Sequence, residues 1–248
     1  MEFLTTASGR RLAYDRVAGQ GPGVVFLGGF RSDMTGTKAV WLQEWAQAQG
    51  RAFLRFDYSG HGASEGDFLQ LGIGDWLADA LEMVDRLTRG RQVLVGSSMG
   101  GWLALRVAQA RPERVQGLVG IAAAPDFTMD AMEPGLTPAR RAELAARGFY
   151  IEPSPYDPAG YPITRALLEQ GARHLVLRSP LHLPFPVRLL HGTADRDVDV
   201  SVALRLLSHM TCPDARLILV KDADHRFSAV PNLELTASVI AELLACGS

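Results

Sequence analysis

Residues 91–109, RQVLVGSSMGGWLALRVAQ, decide the fold of this chain. Gln92–Val95 is a short apolar run with two valines, and it predicts a buried strand. From Trp102 onward the residues are good helix formers and predict a helix. Gly96-Ser97-Ser98-Met99-Gly100 lies between the two and has the G-x-S-x-G arrangement of a nucleophile elbow. The stretch therefore predicts that Ser98 is a nucleophile on a tight strand-to-helix turn.

The strand and helix that flank this motif are stronger evidence for a nucleophile than the five-residue match itself. A glycine-rich turn with an idle serine has the same pattern, because G-x-S-x-G recurs by chance. Gly96 and Gly100 supply the small neighbours that a strained serine turn requires, and Gly101 allows the helix to pack close to the strand. The helix N-terminus also directs its unpaired N–H groups toward the turn. These flanking residues favour a nucleophilic Ser98 over a serine that has no catalytic role.

Strands and helices alternate on both sides of this stretch. Every predicted central strand is apolar throughout, which is typical of a parallel sheet covered by helices on both faces, and we predict an α/β fold. The predicted strands are Arg11–Val17 at an edge, Val24–Leu27, Ala52–Phe56, Val115–Ala124, Val187–Leu190 and Arg216–Val220. The predicted helices outside the opening stretch are Gly36–Gln49, Asp75–Thr88, Ser201–Met210 and Leu233–Leu244. Residues 19–23 are predicted to form a turn.

The alternation is interrupted by a proline-rich segment. Residues 126–183 contain two helical stretches, about Pro138–Gly148 and Ile163–Leu177. We predict that this segment is a lid inserted into a core formed by residues 1–125 and 184–248. The alternative is that it only decorates the surface.

A serine hydroxyl needs a base to take its proton, and the base in turn needs an orienting acid. His225 follows the last predicted strand, where the chain order Ser–Asp–His expects the base. Asp195 follows the preceding strand and is the predicted acid. Asp126, which follows an earlier strand, is the alternative acid. Asp197 and Asp199 are read as solvated loop charges and a helix cap before Ser201.

The predicted chemistry also needs hydrogen-bond donors for an oxyanion. The backbone N–H of Met99, directly after the nucleophile, is one predicted donor. Gly28-Gly29 lets the loop after Val24–Leu27 approach the site, and the N–H of Phe30 is the second predicted donor.

Four motifs together identify the chain as similar to the α/β-hydrolases over nearly its whole length. They are GGFRSDM (28–34), DYSGHGAS (57–64), GSSMGGW (96–102) and HGTAD (191–195). Within that superfamily the GFRSDM loop and the GSSMGGW elbow resemble bacterial relatives of the mitochondrial palmitoyl-protein thioesterase and acyl-glucuronide esterase. The resemblance implies a mostly parallel eight-stranded sheet, a helical lid, and hydrolysis of esters or thioesters with an apolar acyl group. The substrate would be a small molecule or an acylated protein.

Composition and charge exclude several other classes of protein. The net charge of −2 gives no basic stripe for nucleic acid, and no apolar run is long enough for a transmembrane segment. The N-terminus does not resemble a secretory signal, and two cysteines make no disulfide framework, so a cytoplasmic location is expected. Metal and cofactor motifs are not found, and none is expected. The sequence leaves the oligomeric state open.

The predicted acyl-binding residues are aromatic. Phe30, Trp102, Phe149 and Tyr150 are the predicted substrate contacts, and Ile151, Tyr156 and Tyr161 add apolar surface in the insertion. The alternative is that these aromatic residues only hold the insertion to the sheet. Two other functions use the same triad: carbon–carbon bond hydrolysis and cofactor-free perhydrolysis. A non-catalytic ligand receptor is a third alternative, but the intact Ser98, Asp195 and His225 set counts against it.

Overall fold

The computed structural model describes residues 1–154 and 157–246. The strands of the described residues are β1 (Glu2–Thr5), β2 (Arg11–Val17), β3 (Gln20–Leu27), β4 (Arg51–Phe56), β5 (Gln92–Ser97), β6 (Val115–Ile121), β7 (Phe149–Glu152), β8 (Tyr161–Thr164), β9 (Leu181–His182), β10 (Val187–Gly192), β11 (Met210–Thr211) and β12 (Ala215–Val220). The α-helices are α1 (Thr37–Ala48), α2 (Ile73–Leu87), α3 (Met99–Ala110), α4 (Pro138–Arg147), α5 (Arg165–Gly171), α6 (Val200–His209) and α7 (Val230–Ala245).

Eight of the strands form one sheet in the order β1-β2-β4-β3-β5-β6-β10-β12. β2 runs antiparallel to its neighbours β1 and β4, and the other neighbouring strands pair in parallel. This is the predicted mostly parallel, eight-stranded α/β-hydrolase sheet. Because the parallel strands point the same way, the loops that follow β3, β5, β10 and β12 meet at one edge.

The core consists of two apolar layers, one on each face of the sheet. Alternate residues of β5 enter opposite layers: Leu94 packs with the layer under α2, α3 and α6, whereas Val93 and Val95 pack with the layer under α1 and α7. Full burial on both faces explains why the central strands are apolar at every position. Within the described residues, no helix is both long and apolar enough to cross a membrane.

Several predicted boundaries are wrong. Arg11–Val17 is not at the edge of the sheet, because β1 pairs outside it. The predicted turn at residues 19–23 lies largely within β3, which begins at Gln20. The strand predicted to reach Ala124 ends at Ile121, and a backbone φ of +46° at Ala122 starts the following loop.

The segment between β6 and β10 departs most from prediction. The helix predicted over Ile163–Leu177 is replaced by β8 and the short helix α5, because the β-branched Ile163 and Thr164 favour a strand. The Thr164 hydroxyl then caps α5 by accepting the N–H of Leu167 (3.0 Å). β8 pairs with β7 in a hairpin that was not predicted. The helix expected over Pro138–Gly148 is present as α4.

Candidate active site

Ser98 lies between the last residue of β5 and the first residue of α3. Its backbone has φ of +55° and ψ of −119°, a sparsely populated conformation that costs about 1–3 kcal/mol. The surrounding backbone holds it in place, because its N–H donates to the carbonyl of Ile121 (2.9 Å) and its own carbonyl accepts from Gly101 (2.9 Å) and Ala124 (3.1 Å). The predicted elbow is therefore a strained turn fixed at three points.

Two glycines make this turn possible. A Cβ added to Gly96 would lie 2.3 Å from the carbonyl oxygen of Gly100. A Cβ added to Gly100 would lie 2.0 Å from the carbonyl oxygen of Leu27, at the end of β3. Both distances are shorter than a Cβ contact allows, so only glycine fits at the first and last positions of the G-x-S-x-G motif.

His225 and Asp195 form a hydrogen-bonded pair on neighbouring loops. The His225 Nδ1 lies 2.9 Å from Asp195 Oδ2. The other carboxylate oxygen, Oδ1, accepts the backbone N–H groups of Asp197 and Val198, both at 2.9 Å. The Asp195 side chain is 1% exposed and the His225 side chain 17% exposed. The Asp195 carboxylate is thus buried behind an imidazole that reaches the cavity.

The two loops are bonded to each other as well. Asp222 donates its N–H to Thr193 Oγ1 (2.9 Å), and Ala194 donates its N–H to the carbonyl of Ala223 (3.0 Å). His191 is fully buried beneath them, with its Nε2 2.9 Å from the carbonyl of Val198 and 3.4 Å from Asp195 Oδ2. These contacts fix the distance between Asp195 and His225.

The electrostatics of the pair favour an ionised acid. Burial raises the pKa of Asp195, but the hydrogen bond to His225 and the two backbone N–H donors lower it further, and the net pKa lies below the ordinary value. A carboxylate at this position stabilises a positively charged imidazole.

The two candidate oxyanion donors face the same cavity as Ser98. Met99 is the first residue of α3, so its N–H has no partner within the helix. Phe30 is the second residue of a turn closed by the hydrogen bond from the N–H of Ser32 to the carbonyl of Gly29 (3.3 Å), which leaves the Phe30 N–H outside the turn's own bond. Neither N–H group is used by the local hydrogen bonds of its own turn or helix, and both residues line the cavity that holds Ser98.

A cavity of about 780 Å³ contains Ser98 and His225 in its lining. Of the four predicted substrate contacts, Phe30 and Tyr150 line it. Trp102 does not: it is 0% exposed, and its indole N–H donates to the carbonyl of His174 (3.0 Å). Phe149 also lies outside the cavity lining, where its ring packs under the guanidinium of Arg147.

The insertion contributes the apolar wall of this cavity. The ring of Phe30 lies 6.3 Å from that of Phe127 and 6.0 Å from that of Tyr161, centroid to centroid. Met132 lines the same wall. Tyr161 was expected to add apolar surface there, whereas Phe127 and Met132 were missed because no local pattern distinguishes them from other apolar residues. Tyr156, named with the predicted aromatic residues, lies outside the described residues.

Asp126, the alternative acid, has a different set of partners. Its fully buried carboxylate accepts the N–H groups of Val176 (2.8 Å) and Leu177 (2.9 Å), and Arg178 pairs with it at 3.3 Å. It therefore joins the start of the insertion to its return segment, and Asp195 has the geometry of the acid. Asp199, predicted as a cap, accepts the N–H of Ser201 (2.8 Å) at the start of α6.

His61 is also unsuited to the role of base. It is buried against the rings of Tyr58, Phe68 and Trp76. Burial, with a smaller contribution from the charge of Arg31, lowers the pKa of His61 to about 4. It remains neutral in an aromatic cluster beside the cavity.

Ligand atoms of Asp195, Asp197 and His225 lie within 4.8 Å of one another, a grouping that is also found in metal sites. Both oxygens of Asp195, however, already accept hydrogen bonds from His225 and from two backbone N–H groups. The grouping is satisfied internally, and we assign no ion to it.

Arginines that the sequence analysis did not single out also line the cavity. They are Arg31, Arg140, Arg196 and Arg226. Three of them directly follow a candidate residue, namely Phe30, Asp195 and His225, and this adjacency is the one signal in the sequence that points to them.

Comparison with known proteins gives a consistent result. Residues 24–242 match the model of the Alpha/beta hydrolase family. The chain is 38% identical over 245 residues to the mitochondrial palmitoyl-protein thioesterase ABHD10 of Rattus norvegicus, covering 98% of this chain and 82% of that protein. The structure of alpha/beta hydrolase domain-containing protein 10 from mouse superposes with a TM-score of 0.91 at 38% identity, covering 100% and 99% of the two chains. A crystal structure of a protein from Agrobacterium vitis S4 superposes with a TM-score of 0.94 at 41% identity, covering 98% of each chain.

Proposed function

Because the chain belongs to the alpha/beta hydrolase family, we propose that it is a serine hydrolase that cleaves thioesters or carboxylic esters of apolar acyl groups through an acyl-enzyme on Ser98. Its relatives include proteins named as thioesterases, which agrees with this reaction type. The observation that carries the proposal is that Ser98, on its strained turn, shares one partly apolar cavity with His225, whose imidazole is bonded to the buried Asp195.

In the first half of the proposed reaction, His225 takes the proton of the Ser98 hydroxyl as the Ser98 Oγ attacks the carbonyl carbon of the substrate. The carbonyl oxygen becomes an oxyanion, which accepts the N–H groups of Met99 and Phe30. Asp195 stabilises the imidazolium and holds the tautomer in which Nδ1 carries a proton toward Oδ2. The carbon–sulfur or carbon–oxygen bond then breaks, and the leaving thiol or alcohol takes the proton from His225.

In the second half, a water molecule attacks the acyl carbon of the ester on Ser98, and His225 again takes the proton. The same two N–H groups stabilise the second oxyanion. The bond from carbon to Ser98 Oγ breaks, the serine recovers its proton from His225, and the carboxylic acid leaves. Each half uses the histidine once as a base and once as an acid, so the enzyme returns to its starting state.

The apolar wall of the cavity supports an apolar acyl group. Phe30, Phe127, Met132 and Tyr161 surround the space next to Met99, and the insertion that carries the last three would act as the predicted lid. Aromatic and methionine side chains adapt to a flexible chain better than branched aliphatic ones do. Burial of each methylene contributes about 0.8 kcal/mol at most, which corresponds to a rise of about fourfold in kcat/KM per methylene.

A series of thioesters from acetyl to palmitoyl, used below their micelle concentrations, tests the proposal. We expect kcat/KM to climb with chain length until the cavity is full. Met132→Trp, which fills part of the cavity, should move the best substrate to a shorter chain. Phe149→Trp is the matched control, because Phe149 lies outside the cavity lining, and it should leave the profile unchanged. If acetyl is the best substrate and octanoyl is no better, the acyl group does not enter this cavity and the apolar-acyl assignment is wrong.

A further inference from the structure

Four arginines line the cavity, and three of them come from different loops of the proposed catalytic site. Arg31 follows the candidate oxyanion donor Phe30, Arg196 follows the acid Asp195, and Arg226 follows the base His225. All three are exposed. We call them the arginine mouth, since they lie at the solvent side of the cavity that holds Ser98.

Arg31 occupies a conformation that favours glycine. It is the third residue of the Gly29–Ser32 turn and has φ of +58°. An arginine pays a steric cost there that glycine would not pay. Its guanidinium lies 4.8 Å from the centroid of the Phe68 ring, a cation–π contact that holds the charge close to the cavity. The turn thus presents a cation directly beside a proposed oxyanion donor.

The lining of the cavity is more positive than the chain as a whole. The whole chain has a net charge of −2, yet the basic residues of the lining outnumber its acidic ones. The basic set is Arg31, Lys38, Arg140, Arg196 and Arg226. The lining acids are Asp33, Glu152 and Asp197, and each has a partner: Glu152 pairs with Arg140 at 2.8 Å, Asp33 accepts the N–H of Thr35 at 2.7 Å, and Asp197 is engaged as well.

Lys38 lines the same cavity and contacts the loop that carries Arg226. Its ammonium donates to the backbone carbonyl of Arg226. Burial lowers the pKa of Lys38 to about 8, and the charge of Arg226 contributes in the same direction, against the opposing effect of Asp224. Burial is thus the main cause of the shift, and the positive charge of Arg226 adds to it.

We propose that the arginine mouth binds a leaving group that carries phosphate. This inference rests on the proposed function, in which the apolar wall receives the acyl chain and the leaving group stays at the solvent side. Guanidinium groups offer paired N–H donors that match phosphate oxygens, and three of them on separate loops suit a ligand with more than one negative charge. The preferred substrate class is then an acyl thioester of a phosphate-bearing thiol.

Transfer of the acyl group from the thiol to Ser98 requires no further reactant. Ser98 Oγ forms a bond to the acyl carbon as the carbon–sulfur bond breaks, and the sulfur leaves as a thiol with the proton that His225 took from Ser98. The phosphates take no part in bond making and leave unchanged with the thiol. Their contacts with the arginines hold the thioester carbonyl beside the N–H groups of Phe30 and Met99, so the effect should fall mainly on KM.

Two thioesters that share an octanoyl group separate the contributions of the acyl chain and the phosphates. Octanoyl-coenzyme A carries phosphates and an adenosine beyond its pantetheine arm, and octanoyl-pantetheine lacks both, so the salt dependence of the difference identifies the contribution of the phosphates. At an ionic strength of about 0.02 M we expect kcat/KM to be at least about tenfold higher for octanoyl-coenzyme A, and about 0.5 M salt should reduce the difference to about threefold or less.

The variant Arg31→Gln/Arg196→Gln tests the arginines directly. It should lower kcat/KM for octanoyl-coenzyme A by about tenfold through KM, and change octanoyl-pantetheine by less than about twofold. The control Arg89→Gln/Arg91→Gln removes the same charge from exposed residues before β5, at the opposite end of that strand from Ser98, and should leave both thioesters unchanged.

Equal kcat/KM for the two thioesters at low salt would overturn the inference and leave the proposed function intact. A parallel loss on both thioesters in Arg31→Gln/Arg196→Gln would also overturn it, because the arginines would then act on the loops and not on the leaving group. Failure to hydrolyse either thioester would refute the proposed function together with this inference.

Discussion

Replacing Asp195 with asparagine should abolish most of the activity without unfolding the protein. The geometry dictates which way the new amide faces. Asp195 Oδ1 accepts two backbone N–H groups, from Asp197 and Val198, so the asparagine oxygen must keep that position. The NH₂ group is then forced toward His225 Nδ1, at the 2.9 Å distance now spanned by a hydrogen bond to Oδ2.

This orientation sets the wrong tautomer of His225. An amide NH₂ donates, so Nδ1 must become the acceptor and the ring proton moves to Nε2. The nitrogen that should take the Ser98 proton is then already protonated. In serine hydrolases this substitution costs about 10⁴-fold in kcat, which corresponds to about 5 kcal/mol of transition-state stabilisation.

Asp126→Asn is the matched control, since it makes the same chemical change in a buried carboxylate that also accepts two backbone N–H groups. It removes the charge that pairs with Arg178 and leaves one backbone donor without a good acceptor, which should cost about 1–3 kcal/mol of stability. Its kcat should remain within about threefold of the wild type.

Turnover of p-nitrophenyl esters and urea unfolding of the same preparations measure both effects. The expected pattern is a large loss of kcat at Asp195 with little change in unfolding, and the reverse at Asp126. If Asp195→Asn keeps kcat within tenfold of the wild type while Asp126→Asn loses it, the tautomer argument fails and the acid follows β6 instead of β10.

Three further predictions concern the nucleophile, the core and one lysine. Ser98→Ala should remove both ester turnover and fluorophosphonate labelling, whereas Ser97→Ala should retain them, and peptide mass spectrometry of the labelled wild type should find the adduct on Ser98. Trp102→Phe loses the indole hydrogen bond to His174 and should lower the unfolding free energy in urea by about 1–2 kcal/mol, yet leave the acyl-chain profile unchanged because the ring is outside the cavity. The pKa of Lys38 is about 8 in the folded protein, below its ordinary value, so between pH 8 and 10 folding releases a proton. The free energy of unfolding of the wild type, relative to that of Lys38→Met, should therefore rise by about 1–2 kcal/mol over this range. A difference in urea unfolding that does not change with pH would contradict this prediction.

The elements that the sequence predicts well are those with local causes. The central strands are apolar at every position because both faces of the sheet are covered, and Gly96 and Gly100 mark the elbow because no side chain fits there. Chain order limits the acid to Asp195 or Asp126 and indicates His225 as the base, because parallel strands bring the loops after β6, β10 and β12 to the same edge as Ser98. The hydrogen bonds of the two carboxylates then distinguish them.

The features that cannot be predicted from the sequence depend on contacts between residues that are far apart in the chain. Trp102 follows the elbow directly, and its helix phase turns it toward the carbonyl of His174 and away from the cavity. Met132 and Phe127 line the cavity only because of how the insertion folds back over Phe30, which no neighbouring residue determines. The hairpin of β7 and β8 consists of short strands, and its pairing across a connecting loop has no strong local signal.

The attachment of the insertion has a consequence for how such chains diversify. It leaves the sheet after β6 and returns at β10, and these strands are direct neighbours, with Val187 paired to Leu118. Asp126 joins the departing chain to Val176 and Leu177 on the returning one. The two ends are thus held together independently of what lies between them. This attachment predicts that the residues between the two ends can change, and the substrate range with them, while the loops that carry Ser98, Asp195 and His225 keep their positions.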